Sequence, residues 1–144
     1  ISKKIIKNLS YIGVIGIEFF ISKDQKVLVN EIAPRTHNSG HFSIEGCDIS
    51  QFQQQVNVLS GCKPSKSNLL EPSVMINLLG DIWSQGTPNF EIIKQYNCAS
   101  LHLYGKKTSR KKRKMGHITV TDKSLKTAVN IAEEIYGKIQ KKSK

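Results

Sequence analysis

The sequence lacks any apolar run near the ~20 residues that a membrane-spanning helix requires. Its first ten residues, ISKKIIKNLS, are too basic and too short of continuous apolar character for a signal peptide. Only three cysteines occur, Cys47, Cys62 and Cys98, and none forms a CxxC pair. That excludes the common zinc modules and predicts reduced thiols, small packing residues and a cytoplasmic, soluble setting. Acidic side chains are scarce, 11 against 22 basic ones, which leaves a formal charge of +11. Such a surplus attracts nucleic acid, acidic membranes or phosphorylated small molecules. Aromatics make up 7% of the chain, and none interrupts the most basic stretch, KKTSRKKRK at 106–114. A stacking platform for single-stranded nucleic acid is therefore not indicated. A solvated basic loop or a grip on phosphate are the two readings left, and the basic tail KIQKKSK reads equally well as solubility.

What is present falls into two units, 1–72 and 73–144, with no internal repeat. Residues 2–9 read as the end of an amphipathic helix that has Ile5, Ile6 and Leu9 on one face. Residues 11–22 and 26–32 read as the strands of a hairpin around the polar turn Lys23-Asp24-Gln25, and Pro34 ends the ladder because it has no amide hydrogen. Residues 35–47 suit a functional loop. Asp48 or Ser50 can cap a helix over 49–60 whose buried stripe is Phe52, Val56 and Leu59, with Gly61 at its end. Residues 62–72 read as a connector. In the second unit, strands are expected from Val74, over 100–105 and over 115–120, the last two joined by the basic segment. One or two helical turns fit 89–96. A helix over 123–140 is expected to bury Leu125, Val129, Ile131, Ile135 and Ile139. The fold class is α+β.

Two acids stand out in the hairpin. Glu18 in GVIGIEFFI and Glu31 in VLVNEIAPRTHNSGH each interrupt a β-rich apolar run, where an unpartnered buried carboxylate is costly. A divalent cation between them is the simplest reason for both. The turn puts Ser22 opposite Lys26 and Glu18 opposite Asn30, with Glu31 one position away. In an ideal ladder the pleat would send Glu31 to the other face. A bulge, or the strand end near Pro34, can bring the two acids together. Spacing thus permits a shared cation, magnesium by its preference for hard oxygen ligands, and equally permits pairing with Arg35 or a lysine. Arg35, His37, Asn38 and His41 follow on the loop. Arginine offers a fixed fork for carboxylate or phosphate, and histidine can hold or move a proton near neutral pH.

IGIEFF, VNEIAPRTHNSGH, VMINLLGD, HLYGK and RKMGHITV occur in that order. Together they closely resemble the C-terminal part of the N5-carboxyaminoimidazole ribonucleotide synthetases, formerly described as the ATPase subunit of phosphoribosylaminoimidazole carboxylase, within the ATP-grasp superfamily. The resemblance implies that 1–72 is the C-terminal part of an ATP-grasp domain and 73–144 a small α/β C-terminal domain of that family. It implies a ligase of de novo purine biosynthesis that uses ATP and bicarbonate to carboxylate 5-aminoimidazole ribonucleotide through carboxyphosphate. Glu18 and Glu31 would then ligate Mg2+ on the ATP phosphates, with Asn30 and Glu31 beside the nucleotide. Arg35 and His37 match the family's residues at the bicarbonate and carboxyphosphate end. Lys106 and Arg113 match the pair that holds the ribonucleotide 5′-phosphate.

Two departures stand in the motifs. Thr36 replaces the family's usual proline, and Arg110-Lys111-Lys112-Arg113-Lys114 replaces an R-P-G-R-K loop, which leaves Lys107 and Lys114 as substitutes for Lys106. The chain begins without methionine, inside an expected helix, so a piece of something longer is expected, inactive alone and part of a homodimer when whole. The competing expectations are another ATP-grasp carboxylase or ligase, against which the His-Asn-Ser-Gly-His loop and Ala33 speak, and a basic nucleic-acid-binding module, which leaves the carboxylates unexplained.

Overall fold

The computed structural model describes residues 1–140, so the last four residues of the basic tail lie outside it. The chain divides into two compact units, Ile1–Asn68 and Leu69–Lys144, each described by itself. Among the described residues, no helix is long and apolar enough to cross a membrane.

The first unit opens with α1 (Ser2–Leu9), closed by Ser10 in the left-handed conformation at φ 49°. A hairpin follows, β1 (Gly16–Ile21) against β2 (Val27–Ala33). Its turn is knotted by polar groups. The Ser22 amide donates to the Lys26 carbonyl at 2.9 Å, and the Ser22 hydroxyl donates to Asp24 Oδ1 at 2.6 Å. Lys26 and Ser22 together hold the Asp24 carboxyl below its ordinary value. The three pairs nearest the turn, Ile21 with Val27, Phe20 with Leu28 and Phe19 with Val29, keep the register that the turn dictates. That register would set Glu18 opposite Asn30. A bulge intervenes, Asn30 is the extra residue, and Glu18 faces Glu31 instead.

Beyond β2 the chain makes a 3-10 turn at Asn38–Gly40, a short helix α2 (Ser43–Gly46) and the helix α3 (Gln51–Leu59). Ser50, not Asp48, caps α3, since its side chain accepts from the Gln53 amide. Asp48 is engaged elsewhere, accepting from the backbone and side-chain nitrogens of Asn68 at 2.8 Å each. At the far end Gly61 sits at φ 79°, and Cys62 and Gly61 donate to the carbonyls of Asn57 and Val58. This pair of bonds is a Schellman motif, and a left-handed residue there favours glycine.

The expected apolar stripe of α3 is not buried. Phe52, Val56 and Leu59 are 38%, 56% and 77% exposed. The helix is held by its glutamines. Gln51 bonds the backbone of His37, Gln55 Oε1 accepts from the Val14 amide at 3.0 Å, and Gln54 Nε2 donates to the Ser65 carbonyl. Apolar periodicity misleads here because α3 lies against loop backbone, whose amides and carbonyls need polar partners.

The second unit is a three-stranded antiparallel sheet in the order β3-β5-β4, covered by one helix. The strands are β3 (Ser73–Leu79), β4 (Ala99–Leu103) and β5 (Lys114–Thr121), and the helix is α4 (Leu125–Gln140). The β4–β5 connection carries the basic segment, as expected. A 3-10 stretch at Phe90–Gln95 occupies the place of the expected helical turns. Rows such as Ile76–Ile118–Leu101 and Val74–Val120–Ala99 cross the sheet on the face that meets α4. From the helix, Ala128, Ala132, Ile135 and Ile139 are buried in this core. The expected stripe is half corrected. Leu125 is 57% exposed and Val129 lies at the margin, whereas two alanines face the sheet, because small side chains let the helix approach it closely.

Candidate active site

The bulge decides the geometry of the site. With Asn30 set aside from the ladder, Glu18 and Glu31 stand opposite each other on one face of the hairpin. The loop after Pro34 then returns to this face. One ligand atom each from Glu18, Glu31 and His37 lies within 4.8 Å of the others. His37 Nε2 is 3.5 Å from Glu18 Oε1, and the other Glu18 oxygen accepts from Asn30 Nδ2 at 3.1 Å. His37 is largely enclosed, with 13% of its side chain exposed, whereas Glu18 is 44% exposed. Two carboxylates at this separation repel by about 1 kcal/mol in water-like surroundings and by more as the dielectric falls. A divalent cation between them reverses that sign. Two hard carboxylates open to solvent suit magnesium, which keeps several positions for water and phosphate.

Of the other expected residues, Asn30 joins this cluster. Arg35 stays exposed, and its Nη1 donates to the Thr36 carbonyl at 2.9 Å. Lys106 and Arg113 lie together on the β4–β5 loop in the second unit. Lys106 Nζ donates to the Lys114 carbonyl at 2.5 Å and sits 5.4 Å from the centre of the Tyr104 ring. Arg113 Nη1 donates to the carbonyl and hydroxyl oxygens of Thr108 at 2.9 and 3.0 Å. The loop is anchored to the end of β3, where the Gly80 amide donates to the Arg113 carbonyl and the Lys112 amide donates to Asp81 Oδ2, both at 2.7 Å. A Cβ on Gly80 would lie 2.1 Å from the Arg110 carbonyl oxygen, so this approach requires glycine. The Tyr104 hydroxyl shares a 2.8 Å bond with His117 Nδ1, and burial raises the Tyr104 pKa.

Family models match both parts of the chain. Residues 1–52 match an ATP-grasp domain, and residues 73–131 match the phosphoribosylaminoimidazole carboxylase C-terminal domain. The N5-carboxyaminoimidazole ribonucleotide synthase of Staphylococcus aureus is 42% identical over 139 residues, which cover 95% of this chain and 35% of that protein. The crystal structure of the N5-carboxyaminoimidazole ribonucleotide synthetase from Thermotoga maritima superposes with a TM-score of 0.82 at 40% identity, over 96% of this chain and 39% of that one. This chain belongs to the N5-carboxyaminoimidazole ribonucleotide synthase family. It spans about a third of the length of the curated synthases that it matches. An Aspergillus clavatus synthase, solved in complex with ADP and 5-aminoimidazole ribonucleotide, superposes with a TM-score of 0.76 at 33% identity, over 88% of this chain and 35% of that one.

Sequence reasoning passed over the residues that support this part of the synthase fold. Gly16 is one. A Cβ there would lie 2.8 Å from the His37 Cβ and Cγ, so the glycine makes room for the histidine over the strand. Gly40 is another, since a Cβ there would lie 2.6 Å from Gln51 Oε1. Ser43, buried at 7% exposure, donates its hydroxyl to the Gly40 carbonyl and accepts from the Gln51 amide at 2.9 Å. Gln51 itself binds the loop. The one signal in the sequence was a run of glutamines, QFQQQ at 51–55, on a helix read for its apolar residues.

Proposed function

We propose that this chain forms one wall of an ATP- and bicarbonate-dependent ligase that carboxylates 5-aminoimidazole ribonucleotide to N5-carboxyaminoimidazole ribonucleotide. The observation that carries this reading is the opposition of Glu18 and Glu31 across the bulge, with His37 beside them. Glu18 and Glu31 would hold Mg2+ against the ATP phosphates, while Asn30 steadies one oxygen of Glu18 and the other faces His37 Nε2. A metal held by these two carboxylates would supply charge neutralisation for the phosphates and alignment of the γ-phosphoryl group. Arg35, whose guanidinium is exposed on the loop, meets the bicarbonate-derived anion, with carboxyphosphate as the intermediate. His37 assists transfer of the proton released when the amine of the ribonucleotide attacks. Lys106 and Arg113 grip the ribonucleotide 5′-phosphate, so the basic loop serves a small anion. By the same family reading, the protein works in the cytoplasm as a homodimer.

The test is ADP formation by the native protein that carries this sequence, with bicarbonate and aminoimidazole ribonucleotide added or withheld. ADP formation is expected to depend on both. Glu31→Gln is expected to lower it about 100-fold, the scale on which a lost charge stabiliser registers in catalysis. Turnover indifferent to the ribonucleotide would point to another carboxylase. Unchanged turnover in Glu31→Gln would remove the metal role.

A further inference from the structure

The geometry points to Gln51 as a positioning residue for His37, a role that rests on the reading of His37 as part of the ligase site. Its carboxamide makes three bonds to one loop. Oε1 accepts from the His37 amide at 2.9 Å, and Nε2 donates to the His37 carbonyl at 2.8 Å. The side chain thus pairs with the backbone of a single residue on both sides, as a neighbouring strand would. This double pairing also fixes which end of the amide is oxygen, because an amide hydrogen and a carbonyl oxygen demand opposite partners. The remaining Nε2 hydrogen points at His41 Nδ1, 2.7 Å away. That nitrogen must therefore carry a lone pair, which sets the His41 tautomer with its proton on Nε2.

Gln51 is itself held. Its backbone amide donates to the buried Ser43 hydroxyl, which donates onward to the Gly40 carbonyl. Gly40 leaves the room that the carboxamide occupies. On the far side of the loop, Gly16 lets the His37 side chain lie close over β1. His37 is thereby clamped at its backbone by Gln51 and seated at its Cβ by Gly16, and with Ser39 Oγ 2.9 Å from its Nδ1 the ring keeps Nε2 aimed at Glu18. Gln51 touches neither carboxylate among its described bonds, so it acts on the reaction through His37.

The test uses the native protein carrying Gln51→Met, which keeps length and volume and removes all three bonds. His37→Asn and the double variant accompany it. Thermal unfolding confirms folding, and Gln51→Glu, which keeps the acceptor and loses the donors, replaces the methionine variant if that one does not fold. The expected result is a kcat lowered tenfold or more, with KM for ATP changed less than threefold, since misplacing a reacting group by about 1 Å costs on that scale. In the double variant the second substitution should add little, because both act through one side chain. Multiplying losses would mark Gln51 as merely structural and overturn the inference. If His37→Asn leaves turnover intact, it is the reading of the site that fails. If His37→Asn is impaired and Gln51→Met or Gln51→Glu is not, the positioning role fails alone. A nitrogen-edited NMR spectrum gives a check without substitution, and a proton found on His41 Nδ1 would overturn the arrangement.

Discussion

The two units are built on opposite principles. In the second, α4 and three strands enclose Leu78, Ile93, Ile118, Val120, Ala128, Ala132, Ile135 and Ile139. In the first, Ala33 is the one buried apolar residue among those described, while Phe20, Ile21, Leu28 and Ile32 of the hairpin are exposed. That unit is joined by side chains that bond to backbone, from Gln51, Gln54, Gln55, Ser43 and Asp48. An apolar core tolerates exchange of similar shapes, because dispersion and burial are not directional. A hydrogen-bonded frame does not, but it sets positions tightly, which is what a cluster of two carboxylates and a histidine needs. The unit with the smaller apolar core is thus the one with the more specified loop.

The largest test of this contrast is Ile135→Ala. It should cost about 2–5 kcal/mol in chemical denaturation, the range for a truncated core aliphatic. Leu59→Ala, equally apolar but exposed on α3, should stay within about 0.5 kcal/mol. Equal costs would break the comparison. Next, Gly80→Ala should cost about 1–3 kcal/mol by driving a Cβ into the Arg110 carbonyl, and should raise amide exchange across 110–113. Then comes Gln55→Ala, which strands the Val14 amide and should cost about 1–2 kcal/mol, while the neighbouring Val56→Ala should cost less. The smallest effect concerns Asp48. Its folded pKa is lowered from 3.8, chiefly by the Asn68 backbone amide and then by the Asn68 side chain. The contribution is therefore present above the unfolded value and lost as pH falls through the folded one. Protection of the Asn68 amide should fade over that acid range in the native sequence and be weak throughout in Asp48→Asn.

Legibility in the sequence followed the same division. Ser50, Gly61 and the Ser22–Lys26 turn were readable because caps and turns are local chemistry. The outer hairpin register was readable because it counts outward from that turn. The family motifs nominated Glu18, Asn30, Glu31 and His37, and the hairpin together with the loop after it sets these four side chains near one another. What counting could not supply was the bulge, since nothing in VLVNEIA distinguishes an extra residue from a paired one. Nor did periodicity reveal that α3 faces loop backbone. Gln51 reads as a surface residue until its carboxamide is seen to bond both the amide and the carbonyl of His37, fourteen positions away. On α4 the alanines were passed over because a scan for large side chains does not register closeness of approach.

One consequence concerns tolerance to change in length. In a regular strand, losing a residue sends every later side chain to the other side of the sheet. Asn30 stands outside the pairing, so its removal would close the bulge and leave Glu18 still across from Glu31, and Ile17 from Ile32. The hairpin therefore carries a spare position whose deletion spares the acid pair and costs only the amide that steadies Glu18. Shortening and substitution at Asn30 should consequently look alike in function, whereas removal of Glu31 itself should not.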